Sequence, residues 1–226
     1  MEASRLDNTL SNRILIMTAV EAEREAVQRG LSDKDKLRYD VQLAGVGPAS
    51  AAARTALLLA RGSYDLVISA GIGGGFEHHA APGSIVLSNR IIAADLGSGT
   101  PEHGFISVDE LGFGSSVILP DTTHLDRLAT VMRDAGLMVH TGPVLTVSTT
   151  TGSAETTAAL IQRIPDASAE GMEGFGVAEA AQLMNIPVLE IRAISNKVGP
   201  RDRSSWRIPE ALQSLTQASS LLPEVL

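Results

Sequence analysis

Apolar runs and amphipathic segments alternate along most of the chain, in the order that βα units produce. The run ILIMTA, from Ile14 to Ala19, is apolar and predicts a strand buried on both faces. The next segment, VEAEREAVQRG, is rich in helix formers and closes with Gly30, which indicates a helix. A strand at Leu37–Gly45 and a helix at Pro48–Gly62, with proline in its first turn, form a second unit.

The alternation continues to the end of the chain. Further strands are predicted at Asp65–Ala70, Ser84–Ala94, Val139–Val147 and Pro187–Ser195, and further helices at Thr123–Ala135, Ala154–Arg163, Glu173–Met184 and Ile208–Leu222. This order predicts an α/β fold, a three-layer αβα sandwich with a central, largely parallel mixed sheet. We expect one domain over residues 1–226, with residues 1–12 as a flexible tail. Gly97–Gly114, which holds five glycines, predicts a long functional loop or a subunit contact.

Composition narrows the class of protein. The chain has 226 residues, of which 44% are hydrophobic, so one sizeable core is possible. Its 18 Lys and Arg against 26 Asp and Glu give a net charge of -8, which argues against nucleic acid as a partner. With no cysteine there can be no disulfide or thiolate site. No stretch has the composition of a membrane span, and we expect a cytoplasmic protein.

The histidines and glycines do not form a known metal or cofactor motif. His78 and His79 are adjacent and lack a metal-binding spacing, so no metal is expected. The glycine-rich segment SAGIGGG could bring the backbone of Gly71, Ile72 and Gly73 against a ligand, or form a tight turn. Phe76 stands where a dinucleotide fingerprint needs its third glycine, and we expect no cofactor.

Acidic residues cluster at the start of two predicted helices. Glu21, Glu23 and Glu25 follow the first strand, where the helix dipole favours them, but one could also serve as a general base. Met172 and Glu173, in MEGFGVA, fit a helix start with a core methionine. They equally fit a ribose site, where a carboxylate accepts from the diol and a thioether lines the sugar.

Hydroxyl and amide side chains are predicted at strand ends. Thr150, in TVSTTTG, could contact a ligand or belong to a helix-capping turn. Asn196 follows the last apolar strand, where open α/β sheets bind ligands. The alternative for Asn196 is an asparagine that caps a turn.

Four segments together resemble the purine nucleoside phosphorylase and nucleosidase superfamily. They are TAVEAE, SAGIGGG, MEGFGVA and EIRAISNKVG, and they span Ile14 to about Val198. The resemblance implies a nucleoside phosphorylase-like fold, a purine nucleoside as substrate and a homodimer or larger homo-oligomer. Part of Gly97–Gly114 would then reach a neighbouring subunit's site.

The resemblance also assigns roles to single residues. It makes Glu23 the base that activates water, Glu173 the acceptor for the ribose diol and Met172 the residue under the sugar. Asn196 falls where adenine-releasing relatives have an aspartate at the purine edge. An amide can donate to a 6-oxo group and accept from a protonated N7, so Asn196 favours hypoxanthine or guanine over adenine. Ile72 replaces a small hydroxyl residue, which leaves a backbone role for this position.

Three arginines follow the last predicted strand and could contact the non-purine end of the substrate. The segment GPRDRSSWR supplies Arg201, Arg203 and Arg207, and we take Arg203 as the candidate to bind an acidic group there. A solvated basic loop is the alternative. The acidic first loop favours water over phosphate as nucleophile. A phosphorylase, a nucleosidase for inosine or methylthioadenosine, and a purine-binding sensor without activity stay open.

Overall fold

We describe the protein from a computed structural model, which describes residues 12–101 and 104–226. Strands β1 to β10 are Ile14–Thr18, Tyr39–Leu43, Leu66–Gly75, Ile85–Ala93, Gly97–Thr100, Gly104–Ser107, Val117–Ile118, Val139–Thr146, Ala169–Gly171 and Val188–Lys197. Helices α1 to α6 are Glu21–Gly30, Pro48–Leu59, Thr122–Asp134, Ala154–Arg163, Gly174–Leu183 and Ile208–Ser220. Of the predicted flexible tail, residues 1–11 lie outside the described part of the chain.

The main sheet has the strand order β10-β4-β8-β9-β3-β1-β2, with β7 paired to β4. Most pairings are parallel, including β1 with both β2 and β3, whereas β4 with β10 and β3 with β9 are antiparallel. Helices α1, α3 and α6 pack on one face, while α2 and α5 pack on the other. The predicted three-layer α/β fold with a largely parallel mixed sheet is therefore confirmed.

Part of the sheet closes on itself. The long strand β3 pairs with β10 along most of its length and also with β9 at Gly74 and Gly75. Strand β4 joins β10 to β8, and β8 pairs with β9, so that five strands form a closed ring. This closure depends on pairing between strands that are distant in the chain, which the alternation of elements does not reveal.

Two local predictions are wrong, and a third segment, Gly97–Gly114, is more regular than its composition suggested. The glycine-rich segment SAGIGGG forms residues Ser69 to Gly75 of β3 and is not a loop or turn, because β9 and β10 supply hydrogen-bonding partners on both sides. Gly97–Gly114 contains the antiparallel pair β5 and β6, although its glycines suggested irregular structure. The strand predicted from Leu37 is preceded by a 3₁₀ turn, Asp35–Leu37, and starts at Tyr39.

Candidate active site

A pocket of about 230 Å³ opens at the carboxyl ends of β1, β3 and β10. This is the edge at which open α/β sheets bind ligands. The segments after β8 and β9 complete the wall. The lining residues are Ala19, Val20, Glu23, Val46, Ile72, Gly73, Gly74, Thr150, Thr151, Glu170, Gly171, Met172, Glu173, Ser195, Asn196, Lys197, Val198, Gly199, Pro200, Arg201 and Trp206.

Glu23 is a buried carboxylate on the pocket wall, held by backbone N–H groups. Its Oε2 accepts from Ala19 N at 2.8 Å and from Val20 N at 3.2 Å, and its Oε1 accepts from Ile72 N at 2.9 Å. A carboxylate can accept about four hydrogen bonds, so one acceptor position remains on this pocket-lining side chain. Glu23 therefore keeps the capacity to accept a hydrogen bond from a water molecule.

The environment of Glu23 also favours proton uptake. Its side chain is only 3% exposed, and burial raises the pKa of Glu23 from the ordinary value for glutamate. The Ile72 N–H and the Arg192 charge lower the pKa and partly offset burial, while nearby Glu173 raises it further. A carboxylate with a raised pKa is a stronger base once ionised, which suits general base catalysis.

Glu173 is a second buried carboxylate on the same wall. It is the residue that immediately precedes α5, and its side chain accepts from Gly47 N at 3.2 Å and from Met172 N at 3.3 Å. Met172 is half-buried beside it and also lines the pocket. The structure thus brings together the three residues that the sequence assigned to water and ribose.

The central glycines of β3 let neighbouring groups lie very close to the strand backbone. A Cβ at Gly71 would lie 2.7 Å from Glu23 Oε1, and a Cβ at Gly73 would lie 2.6 Å from Glu170 O. Gly71 thus makes room for the Glu23 carboxylate, while Ile72 and Gly73 line the pocket themselves. The backbone N–H of Ile72 donates to Glu23, so a backbone contact between Ile72 and the substrate stays a prediction.

Asn196 reaches the pocket because β10 bulges. The register with β3 shifts between Ile194 and Asn196, so Ser195 and Asn196 both line the pocket although neighbours in a regular strand face opposite sides. Asn196 Oδ1 accepts from Ser195 Oγ at 2.8 Å, and its Nδ2 donates to Lys197 O at 2.9 Å. A carbonyl can only accept, so the amide orientation is fixed, with one N–H and one lone pair still available.

A buried arginine, which the sequence reasoning missed, lies behind the two carboxylates. Arg192 is 1% exposed, and its Nη1 is 3.6 Å from Glu173 Oε2. Its Nε donates to Glu190 Oε1 at 2.9 Å, and its Nη2 donates to Ser69 Oγ at 2.8 Å. Glu190 and Arg192 alternate with apolar residues in the strand LEIRAIS, and two charges on one face of a buried strand are the signal that could have revealed them.

Glu170 is a further carboxylate that the sequence analysis did not select for the pocket. It is 6% exposed, and Thr151 donates to it through its backbone N at 2.8 Å and through its hydroxyl. Burial raises the pKa of Glu170, against the hydrogen bonds from Thr151 that lower it. Thr150, the predicted residue of this segment, is exposed at the pocket rim.

The arginine-containing segment after β10 contributes one arginine to the pocket wall. Arg201 lines the pocket beside Trp206, with its guanidinium carbon 5.4 Å from the centre of the indole ring. Arg203 lies 5.8 Å from the same ring but is not a lining residue, and Arg207 pairs with Glu210 at 3.2 Å. The structure therefore places Arg201, and not the predicted Arg203, on the pocket wall.

Similarity to known proteins is extensive. A family model for the phosphorylase superfamily matches residues 35–226. The chain belongs to this superfamily. Among relatives, the futalosine hydrolase of Streptomyces coelicolor is 48% identical, over 94% of this chain and 96% of its own length. The futalosine hydrolase of Acidothermus cellulolyticus is 42% identical, over 94% and 91%.

Solved structures of the superfamily share the fold. A 5'-methylthioadenosine/S-adenosylhomocysteine nucleosidase from Neisseria meningitidis, in complex with methylthio-immucillin-A, matches with a TM-score of 0.77 and 19% identity. The match covers 93% of the chain described here and 98% of the Neisseria nucleosidase chain. Within residues 12–101 and 104–226, no group of metal-binding side chains is present, and no helix is long and apolar enough to cross a membrane.

Proposed function

We propose that this protein hydrolyses the N-glycosidic bond of futalosine, releasing hypoxanthine and dehypoxanthinyl futalosine, as a step of menaquinone biosynthesis. The observation that carries the proposal is the pair of buried carboxylates, Glu23 and Glu173, on one pocket wall. Two relatives that are 48% and 42% identical over nearly the whole chain are futalosine hydrolases, which supports this substrate.

The two carboxylates suit the chemistry of glycoside cleavage. Breaking the bond passes through a sugar cation, so the site must stabilise positive charge on the ribose and direct water to the anomeric carbon. Glu23, with its open acceptor position, is the base for water. Glu173 accepts from the ribose diol, and its negative charge stabilises the cation as it forms. Met172 packs against the apolar face of the sugar.

Water fits the pocket better than phosphate does. Glu23, Glu170 and Glu173 make the inner wall acidic, whereas phosphate sites in proteins are lined by cations and free N–H groups. Among the described lining residues, the cationic side chains are Lys197 and Arg201. The Lys197 ammonium pairs with Glu77 at 2.9 Å, so Arg201, beside the Trp206 ring, is the one lining cation without an ion pair among the described residues. The lining therefore favours hydrolysis over phosphorolysis.

Chromatography of the products from a nucleoside panel tests the function. We expect hypoxanthine to be released from futalosine at the same rate with and without phosphate, and faster than purines from inosine or methylthioadenosine. Strict phosphate dependence with a sugar 1-phosphate product would identify a phosphorylase instead. Futalosine that stays intact over long incubation would indicate a binding protein without activity.

Arg201 is proposed to bind the benzoate-type carboxylate at the far end of futalosine. A charge-assisted hydrogen bond contributes about 1.5–3 kcal/mol, so Arg201→Ala is expected to lower kcat/KM for futalosine by roughly tenfold or more. Inosine lacks this carboxylate and should be hydrolysed equally well by the variant and by the wild type.

Arg203→Ala is the matched control for Arg201→Ala. Arg203 belongs to the same segment and stacks on the same Trp206 ring, but it does not line the pocket. We expect this variant to keep its kcat/KM for futalosine. An equal loss in both variants, or an equal loss for inosine, would contradict a specific contact between Arg201 and the carboxylate.

The proposal also includes a cytoplasmic homodimer or larger homo-oligomer. Phe113 is 82% exposed and the neighbouring Leu111 is 36% exposed, next to the β5 and β6 hairpin. Large apolar side chains grouped on a surface are typical of subunit contacts. Sedimentation of the purified protein measures the assembly directly.

A further inference from the structure

The ion pair between Glu190 and Arg192 is the most deeply buried charge pair beside the pocket. Both residues lie on one face of β10, two positions apart, and each is 1% exposed. Neither is among the described residues that line the pocket. Any effect of Glu190 on the reaction must therefore pass through the groups that it contacts.

Arg192 is the group through which Glu190 can act. The Nε and Nη2 atoms of its guanidinium donate to Glu190 at 2.9 Å and to Ser69 at 2.8 Å, both away from the pocket. The remaining nitrogen, Nη1, is 3.6 Å from Glu173 Oε2. A Cβ at Gly71 would lie 2.8 Å from Nη1 and 2.7 Å from Glu23 Oε1, so these two atoms border the same small space, and the Arg192 charge acts on Glu23. A guanidinium is planar, so fixing two nitrogens sets the direction of the third.

The space around Glu190 is adapted to its side chain. A Cβ at Gly174, the first residue of α5, would lie only 2.0 Å from Glu190 Oε1, so a glycine is needed there. The second carboxylate oxygen, Oε2, has no hydrogen-bond partner among the described residues. Leaving a buried carboxylate oxygen unpaired costs stability, and apolar residues commonly replace buried ion pairs without loss. Stability alone therefore does not account for a glutamate at this position.

We propose that Glu190 is a positioning residue, which holds the Arg192 guanidinium so that Nη1 stays beside Glu173 and near Glu23 while the glycosidic bond breaks. The inference rests on the proposed function, in which Glu23 acts on water and Glu173 acts on the ribose. Held in this way, Arg192 keeps both carboxylates oriented and balances their charge. Glu23 is then ready to act on water, and Glu173 to stabilise the cationic sugar, without rearrangement.

Two substitutions at position 190 separate the effect of the hydrogen bond to Arg192 from the effect of side-chain size. Glu190→Gln keeps an oxygen that accepts from Arg192 Nε, and we expect its kcat to stay within about twofold of the wild type. Glu190→Leu removes the acceptor, and misplacement of catalytic groups by about 1 Å can lower rates by roughly 10²-fold. For Glu190→Leu we expect kcat to fall by about 10–10²-fold and KM to change much less. Glu190→Ala is the second variant if the leucine variant does not fold.

The matched control is Ile191→Val. Ile191 lies next to Glu190 on the same strand but packs into the opposite core, against the layer of α1 and α6. If Glu190→Leu lowers kcat through a general disturbance of β10, Ile191→Val should lower kcat as well. If Glu190→Leu acts only through the orientation of Arg192, Ile191→Val should leave kcat unchanged. We expect the control to keep the kcat of the wild type.

A double-mutant cycle with Arg192→Lys tests whether Glu190 acts through Arg192. A lysine has no planar fork to orient, so Glu190→Leu should lower kcat by at most about twofold in the Arg192→Lys background. An equal loss in both backgrounds, or equal losses for Glu190→Leu and Glu190→Gln in the native background, would overturn the proposal. If the wild type failed to release hypoxanthine from futalosine, the proposed function would fall, and the cycle would be measured on the nucleoside that it does cleave.

Discussion

Replacing Glu23 with glutamine is expected to lower kcat by about 10²–10⁴-fold, the usual effect of losing a general base. The Glu23 carboxylate already accepts three backbone hydrogen bonds, from Ala19, Val20 and Ile72. A glutamine oxygen can keep some of these contacts, but the amide cannot remove a proton from water. Its NH2 group would also face a backbone N–H, which destabilises the local arrangement. Single-turnover measurements of hypoxanthine release give the rate of the chemical step.

Glu21→Gln is the matched control for Glu23→Gln. Glu21 is two residues away in the same helical turn, but it is exposed and pairs with Arg24 at 2.6 Å instead of lining the pocket. We expect this variant to keep its kcat. If Glu21→Gln lost activity and Glu23→Gln kept it, the base would have been assigned to the wrong residue.

The pH dependence of kcat/KM is a second test of Glu23 as the general base. Burial raises the pKa of Glu23, so the carboxylate becomes protonated at a higher pH than an exposed glutamate would. Only the ionised form can act as the base. Activity should therefore be complete above the raised pKa and fall as the pH is lowered through it, giving an acid limb in kcat/KM above the ordinary range for glutamate. An acid limb at the ordinary value would contradict this assignment.

Asn196→Asp is expected to shift the preference of the enzyme from 6-oxo towards 6-amino purine nucleosides. In the proposed complex, the free N–H of the amide donates to O6 of the purine. An ionised carboxylate at this position would instead place its own lone pair against that of O6. An unpaired buried acceptor costs about 1–3 kcal/mol. With a 6-amino group, the same carboxylate finds a donor and, if protonated, can supply N7 with a proton.

The neighbours of Asn196 influence this outcome. The amide NH2 donates to Lys197 O, so an aspartate there would oppose a carbonyl oxygen and be stabilised by taking up a proton. The measurement is the ratio of kcat/KM for a nucleoside pair that differs only at C6. Discrimination by buried hydrogen bonds can reach about 10⁴-fold, so even partial reversal is measurable. An unchanged ratio in the folded variant would show that Asn196 does not contact the purine edge.

The sequence by itself determined the layer architecture and, through the resemblance to the nucleosidase superfamily, most of the residues proposed for the site. Alternating apolar strands and amphipathic helices fix a three-layer α/β fold, because each element must bury its apolar face against a neighbour. The sequence also showed which acidic residues lie at the ends of predicted strands and helices. Glu23 follows β1 and Glu173 precedes α5, and residues at the carboxyl ends of parallel strands meet at one edge. Their positions in the chain left a helix-start role open for each, and the resemblance to the superfamily was needed to assign both to one site.

Only the tertiary structure decided the features that depend on pairing between distant segments. The glycines of β3 form a strand because β9 and β10 pair with them, and the bulge in β10 turns both Ser195 and Asn196 into the pocket. The choice of Arg201 over Arg203 depends on how their segment folds against Trp206. These outcomes follow from hydrogen bonds and packing between residues far apart in the chain. Local periodicity carries no information about such contacts, because it reports only which faces of an element are apolar.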